Sequence, residues 1–559
     1  MKKNDSLNVS HKQQPVPTSP IKSNQALGFW FCAALLCLLL ASTLARDINR
    51  PANGLHSWAE AHGNWLARVH LKYGLGYTKG LSTWAVGDPP TENPKRYLDH
   101  PQLHAFLNVP VMYVLGINNW SLRVANLIAT VITLLLFLKI LYGLFDDKTA
   151  LLAGLFFCLF PIIGYFGVNQ WLYPFATWGI WNYLVLIKGL KRGPEPKTFH
   201  KICLAVCLFF ALQISWEGFF FALAFGIHYV FRCIIRKQFP DKALLTILIV
   251  APLASLMLNF IVMAIGYGDY HKIIDLFKWR AGSGEMKEHD WGNWFTRAWE
   301  HGATNFTIPV LITTVLYLTI GQLIVFMENT SDKSSPKTSR RFPHFWLFFM
   351  IPVFQLFILK GALWPHQTWE RPFVFLIAIA TAQAILLIRD LIKKANKRLA
   401  NVAAVALICV LFVFCAAGTN HYYGIRWQSP EKVKMFHMLK EKIPPDKALL
   451  SFEHFIVDQH EAKGAFYRPE IAWYLDREIV QARSLPEIQS YVQIGRFPYY
   501  LIPAVSELAP LINSLAKKYT FQRVQGDPGQ VKKGRFYRAS MPDYLIFDLN
   551  SSVGGPKQP

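Results

Sequence analysis

Charge and cysteine are scarce in this chain. Only 17% of its 559 residues are Asp, Glu, Lys or Arg, against about 25% in ordinary soluble domains. A disordered chain combines low hydrophobicity with high charge. Here 52% of residues are hydrophobic and 15% are aromatic, which excludes one. The eight cysteines are Cys32, Cys37, Cys158, Cys203, Cys207, Cys233, Cys409 and Cys415, and each lies in or at the edge of an apolar run. None stands in a long polar segment, so no disulfide is expected, and no CxxC pair or Cys/His metal spacing appears. Acids are the scarcer charge: 35 Asp and Glu against 58 Lys and Arg leave a net charge of +23. That charge falls mostly between apolar runs, so no nucleic-acid partner is expected. Internal repeats are absent, and low complexity is confined to the polar N-terminal tail.

What the chain has is long apolar runs, which need lipid to face. The first is Ala26–Ala45, preceded by a basic tail, residues 1–25, with Lys2, Lys3, Lys12 and Lys22. It reads as an uncleaved spanning helix, although cleavage after Ala45 is the alternative. Further runs lie near 104–117, 121–144, 150–166, 172–190, 202–215, 218–235, 243–267, 305–327, 343–360, 372–388 and 399–417. The 104–117 run is short and follows Pro101, so it serves as a lead-in to the next span. The expected fold is therefore an all-α polytopic membrane domain, residues 26–417, with about eleven spans.

Lys and Arg in short loops set orientation. With the N-terminus inside, the inner loops hold Lys148; Lys191, Arg192, Lys197 and Lys201; Arg236, Lys237 and Lys242; Lys333, Lys337, Arg340 and Arg341; and Arg389, Lys393, Lys394, Lys397 and Arg398. The short outer loops near 167–171 and 216–217 hold none. The basic excess thus reads as topology, and the expected location is a bacterial inner membrane with a cytoplasmic N-terminus. Three outer segments are large: 46–103, 268–304 and 418–559. The last alternates strand-like runs (Ala448–Phe452, Glu478–Ala482, Tyr499–Val505, Tyr544–Phe547) with helix-like ones (Leu485–Gly495, Ser506–Lys518). It predicts a small C-terminal α/β domain on the periplasmic side.

The first outer loop carries the candidate chemistry. Trp58, Ala61, Trp65 and Val69 recur at helical spacing, Ser57 and Glu60 have the spacing of a capping box, and Gly74 ends the run. The pattern predicts an amphipathic helix lying at the membrane surface. Asp99-His100-Pro101 stands just before the next apolar run. Acidic groups at this depth serve to activate an acceptor hydroxyl or to position a cation. The 272–305 loop offers Lys278, Arg280, Lys287 and Arg297 among Trp279, Trp291, Trp294 and Trp299. Lys360, His366, Glu370 and Arg371 lie at another outer boundary. Asn169 and Gln170 occupy an outer turn with groups suited to hydrogen-bonding a sugar. Glu217 follows Trp216 between two runs; it is a functional candidate at membrane depth, or merely solvated in a tight turn.

A helix after span one, followed by an acidic-x-Pro turn before span two, resembles the GT-C membrane glycosyltransferases. The nearest likeness is to the family-39-like group of protein O-mannosyltransferases and lipid A aminoarabinose transferases. That group often has an Asp-Glu-Ala…Ala-Arg helix. Setting Ala67-Arg68 on its end puts Glu60 and Ala61 on the Glu and Ala, and Ala59 where the family has Asp. A subgroup is similar to His-x-Trp…Ala-Arg-x-x-Leu-x-Tyr-Gly, matched by His56, Trp58, Ala67, Arg68, Leu71, Tyr73 and Gly74.

The resemblance implies transfer of a sugar from a polyprenyl-phosphate donor to a lipid, glycan or protein acceptor, within and among membrane lipids. It implies Glu60 or Asp99 as the group that takes the acceptor proton. It implies His56, His100, Asn169, Glu217, Lys278, Arg280 and His366 as substrate-binding positions. It leaves room for a divalent cation, which some enzymes of this class use, although no ligand cluster in the sequence demands one. Two rival readings belong to other classes. A lipid-linked sugar carrier or flippase would place paired ionisable groups in mid-span, and this chain puts its polar groups in outer loops. An inactive envelope scaffold would account for Ala59.

Overall fold

Apolar helices about as long as a bilayer is thick set the architecture. The computed structural model describes residues 23–52, 54, 57–83, 87–90, 92, 94, 96–98, 100–168, 171–188, 190, 193, 195–268, 271–278, 291–324, 327, 342–363, 367–425, 430–453, 473–526 and 542–552. The first half comprises α1 (Ser23–Ala45), α2 (Ser57–Thr78), α3 (Leu103–Leu115), α4 (Ser121–Leu144), α5 (Asp147–Leu159), α6 (Pro161–Phe166), α7 (Leu172–Leu186), α8 (Lys197–Ile214), α9 (Gly218–Arg236) and α10 (Lys242–Tyr267). Then come α11 (His271–Lys278), α12 (Trp291–Phe306), α13 (Ile308–Leu316), α14 (Phe342–Ile358), α15 (Lys360–Leu363), α16 (Phe373–Lys393) and α17 (Lys397–Gly424). Among the described residues seven helices are long and apolar enough to cross a membrane, namely α1, α4, α8, α9, α10, α16 and α17. The chain is a multi-pass membrane protein.

Local chemistry explains where spans start and break. Asp146 caps α5 by accepting from the Thr149 amide, and Asp241 caps α10 by accepting from Leu244. Asn396 does the same for α17 through Arg398 and Leu399. The run at 150–166 is not one helix: Phe160 leaves the helical region before Pro161, splitting it into α5 and α6. The run at 305–327 begins at a sharp corner, with α12 and α13 at 105° across Thr307, whose φ is positive, and Pro309. The outer helix α12 buries Trp294 and leaves Trp291, Phe295 and Trp299 exposed, as an interfacial helix does.

Helices in lipid associate by close packing rather than by hydrophobic exclusion. A Cβ on Gly154 would lie 2.5 Å from Leu138, and one on Gly418 would lie 2.6 Å from Pro161, so both glycines are contact points. Inside the bundle Phe137, Phe157, Phe348, Phe375 and Tyr173 form an aromatic core.

The C-terminal part contains α18 (Pro430–Lys442), β1 (Leu449–Ser451), β2 (Ile479–Gln481), α19 (Leu485–Gln493), β3 (Tyr499–Pro503), α20 (Ala509–Ala516), β4 (Tyr519–Val524) and β5 (Tyr544–Ser552). The sheet order is β2-β1-β3-β5-β4. Leu450 pairs in parallel with Val480 and Tyr500, while Tyr500 pairs antiparallel with Phe547. The helix α18 and strand β4 were not expected from the sequence.

The amphipathic helix expected in the first loop is present as α2, and its apolar face is covered on more than one side. Ala61, Trp65, Leu66, Ala67 and Val69 share one buried cluster with Met112 of α3, with Val433, Phe436 and Leu439 of α18, and with Leu449 and Trp473. The helix is therefore sandwiched between membrane helices and the C-terminal sheet.

Candidate active site

Two clusters of buried or partly buried ionisable groups involve α2, α4 and the turns at 215–217 and 367–371. The first group forms around Glu60 of α2. Its carboxylate accepts from Arg123 Nε, on the first turn of α4. The same guanidinium donates from Nη1 to the carbonyls of Ile48 at 2.5 Å and Arg50 at 2.6 Å. Glu60 thus ties α2 to α4 and to the segment leaving α1; the side chain of Ser57, its expected capping-box partner, lies outside the described residues. Beside it Arg50 lies over the rings of Tyr165 at 4.5 Å and Tyr423 at 4.8 Å.

The second group forms where the 215–217 turn meets the 367–371 turn. Glu217 is 5% exposed and accepts from Tyr173 Oη at 3.1 Å. The solvated reading of this residue is thereby corrected. Burial raises its carboxyl to about 7, and the nearby Arg371 and the tyrosine hydroxyl act in the opposite sense. Arg371 is 4% exposed, and among the described residues its Nε and Nη2 have no hydrogen-bond partner. Its guanidinium lies 6.0 Å from the Phe166 ring.

Glu370, next in the chain, accepts from Asn305 Nδ2 at 2.9 Å, and Asn305 Oδ1 accepts from Tyr422 Oη at 2.7 Å. Burial lifts the Glu370 carboxyl to about 8. The rings of Tyr165, Phe166 and Tyr422 contact one another at 4.7–5.7 Å and join the two groups into one site. A guanidinium with open N–H groups in a low-dielectric pocket is suited to an oxyanion, because charge-assisted hydrogen bonds gain strength where water is excluded.

The residues marked by the sequence are distributed unevenly. Glu60 and Glu217 belong to the two groups just described. His100 stands beside Tyr97, with ring centroids 6.3 Å apart, and its carbonyl accepts from Gln102 at 2.7 Å. Lys278 is exposed at the end of α11. His56, Asp99, Asn169, Arg280 and His366 lie outside the described residues. Arg68 and Tyr73, part of the motif in the first loop, belong elsewhere: Arg68 reaches Asp476 at 3.4 Å, and Tyr73 donates to Asp88 at 2.8 Å. They hold the C-terminal part.

The sequence reading missed Arg50, Arg123, Tyr165, Tyr173, Asn305 and Tyr422. Polar or charged residues within or just ahead of apolar runs were the available signal. Among the described residues no group of three or more His, Cys, Asp or Glu is arranged to hold a metal ion. Within the site, Glu60 is paired with Arg123.

No protein-family model and no curated protein matches this sequence. Solved structures do match it. ArnT from Cupriavidus metallidurans, bound to undecaprenyl phosphate, aligns with a TM-score of 0.56 at 11% identity, over 96% of this chain and 100% of that one. The Archaeoglobus fulgidus oligosaccharyltransferase in its apo form aligns with a TM-score of 0.54 at 9% identity, over 90% of this chain and 74% of that one. The same enzyme tethered to an acceptor peptide containing the NVT sequon aligns with a TM-score of 0.54 at 11% identity, over 93% and 74%. The fold of this chain is the GT-C membrane fold.

Proposed function

We propose that this protein is a membrane glycosyltransferase that moves a sugar from a polyprenyl-phosphate donor to an envelope lipid, glycan or protein. The observation that carries the reading is Arg371, a buried guanidinium with two nitrogens lacking hydrogen-bond partners among the described residues. An unsatisfied buried cation is costly unless a ligand completes it. The leaving phosphate of a lipid-linked donor supplies that completion. ArnT, a neighbour in fold, binds undecaprenyl phosphate, which supports this class of donor.

In the reaction the acceptor's oxygen or nitrogen lone pair attacks the anomeric carbon. The bond from that carbon to the phosphate oxygen breaks, and the electron pair leaves with the phosphate. Arg371 is strongest as a ligand at that moment, because charge accumulates on the departing oxygens. The acceptor proton passes to a carboxylate. Asp99 is assigned that role from the sequence, and Glu60 is assigned to positioning because Arg123 engages it. Domain roles follow: residues 26–417 carry the chemistry, and 418–559 form a periplasmic cover over the first-loop helix.

The test uses full-length protein in detergent with labelled polyprenyl-phosphate sugars and a membrane extract as acceptor. Wild type is expected to release polyprenyl phosphate as label moves to the acceptor. Arg371→Ala should lower kcat/KM about a hundredfold, with Arg371→Lys retaining part of the rate. No transfer from any donor, with donor binding intact, would replace this reading with a carrier or scaffold.

A further inference from the structure

The helices α9 and α10 leave an apolar track between them, away from the aromatic core. One stretch, of about 470 Å³, is lined by Phe219, Leu223, Val230, Leu248 and Pro252, among others. A second, of about 350 Å³, includes Tyr229, Val230, Cys233, Lys237, Phe239 and Leu245 in its lining. Val230 lines both, so the two stretches adjoin at that residue. They differ in their rims. The first is apolar to its end. The second opens at the 237–241 connection, where Arg236, Lys237 and Lys242 are exposed and make no ion pair among the described residues.

The only acid between Tyr229 and Leu245 is Asp241. It is occupied by Lys197 at 2.8 Å and Lys201 at 3.0 Å, which hold its carboxyl well below the usual carboxylate range. It therefore presents no free negative charge at the rim. Phe239 is fully exposed at the same place, and the Lys237 amide, with Lys237 in the left-handed region, caps α9 through Cys233 and Ile234. From Tyr229 to Arg236 the helix rises about 10 Å, which fits within one ~15 Å leaflet.

An apolar groove that fits within one leaflet, beside three cations with no ion pair among the described residues, has the chemistry to hold a lipid with an anionic head. We propose that the second stretch binds one anionic phospholipid. Its acyl chain lies along Val230, Cys233, Ile234 and Leu245, and its phosphate meets Arg236, Lys237 and Lys242. By the positive-inside rule this is the cytoplasmic leaflet. The site lies at the opposite end of α9 from Glu217 and is independent of the transferase reading.

The test uses the full-length protein, delipidated in mild detergent, titrated with phosphatidylglycerol or phosphatidylethanolamine and read by native mass spectrometry. Phosphatidylglycerol is expected to bind about tenfold more tightly, a preference of about 1.4 kcal/mol. The double variant Arg236→Ala/Lys237→Ala should remove the preference. The groove-filling Val230→Trp should weaken both lipids, and Lys393→Ala/Lys397→Ala, at the end of other helices, should change neither. Equal binding of the two lipids by wild type would overturn the proposal. So would a preference that survives Arg236→Ala/Lys237→Ala, or one lost equally in Lys393→Ala/Lys397→Ala.

Discussion

Glu60 and Arg123 form an ion pair between α2 and α4, and the same guanidinium holds the backbone that leads out of α1. Both side chains are largely buried, at 21% and 11% exposed. A carboxylate in this position is first a joint between three segments. Removing one partner of a buried pair costs more than the pair contributes, because the other charge stays behind.

Arg123→Ala should therefore destabilise the protein by about 3 kcal/mol, since it strands Glu60 and two carbonyls. Glu60→Gln keeps an acceptor for Arg123 and should cost about 1 kcal/mol. Thermal melts in detergent, followed by tryptophan fluorescence, check the order. Equal melting temperatures for wild type and Arg123→Ala would show that the joint is idle. A Glu60→Gln protein that melts normally but has lost all transfer would return Glu60 to the reacting groups.

The Glu370 carboxyl gives a stability that depends on pH. Its ordinary value of 4.5 is lifted to about 8 by burial. Between those values the folded state holds a proton that the unfolded chain has released, so the unfolded state binds fewer protons and stability falls as pH rises. The contribution is complete below about 4.5 and gone above about 8. Glu217, lifted to about 7, acts with the same sign over a narrower interval. Glu370→Gln keeps a neutral group of the same shape for Asn305 and should melt with a shallower pH slope. The double variant with Glu217→Gln should be nearly flat from about pH 5 to about pH 8. An unchanged slope in the double variant would place the titrating group elsewhere.

Parts of this molecule were legible in its sequence and parts were not, for identifiable reasons. The Ser121–Leu144 run is mostly apolar and long enough to span, and it forms one helix, as its length implies. The break at Pro161 was written in the sequence but hidden by the apolar residues on both sides. Strand β4 escaped notice because Thr520–Arg523 are exposed, so no buried face imposes an apolar alternation. Helix α18 has more charged than apolar residues, and its few apolar side chains pack in the cluster that includes α2. The site was half legible. Polar residues at the outer ends of spans pointed to Glu217, Glu370 and Arg371. No spacing could show that Asn305 meets Glu370, or that Arg123 meets Glu60. Those contacts join residues 65 and 63 positions apart.

Gly87 marks a tight crossing between the first outer loop and the C-terminal sheet. A Cβ there would lie 2.3–2.5 Å from backbone atoms of Arg477. The neighbouring Asp88 pairs with the 476–478 segment, its amide donating to the Asp476 carbonyl and its carbonyl accepting from Glu478. Backbone cannot give way as a flexible side chain can. Gly87→Ala should cost about 1–3 kcal/mol and leave Gly76→Ala, which meets nothing within 4 Å, as the neutral control. Matched melts of the two variants are the measurement, and equal melting temperatures would contradict the close approach.

Asp476 is the hub of the same crossing. Its carboxylate lies 3.4 Å from Arg68, 3.1 Å from Lys72 and 3.6 Å from Lys440. Lys72 also has Asp88 at 2.5 Å, so it keeps a partner if Asp476 is neutralised. Arg68 is the most buried of the three cations: its side chain is 2% exposed, and its guanidinium also donates to the Trp473 carbonyl at 2.8 Å. Asp476→Asn keeps the shape and the left-handed backbone that this position requires, and removes only the charge. It should lower stability by about 3 kcal/mol. The loss should be local, so hydrogen exchange should quicken in α18 and at 473–478 while α16 stays protected. The paired change Arg68→Met/Asp476→Asn removes both charges at once, keeps a residue suited to the left-handed backbone, and should recover most of the loss, because the buried guanidinium that loses its carboxylate is gone as well. If Asp476→Asn instead leaves exchange in α18 untouched, the hub does not hold the C-terminal part, and the apolar contacts of Trp65 and Leu66 with Phe436 and Leu439 carry it alone.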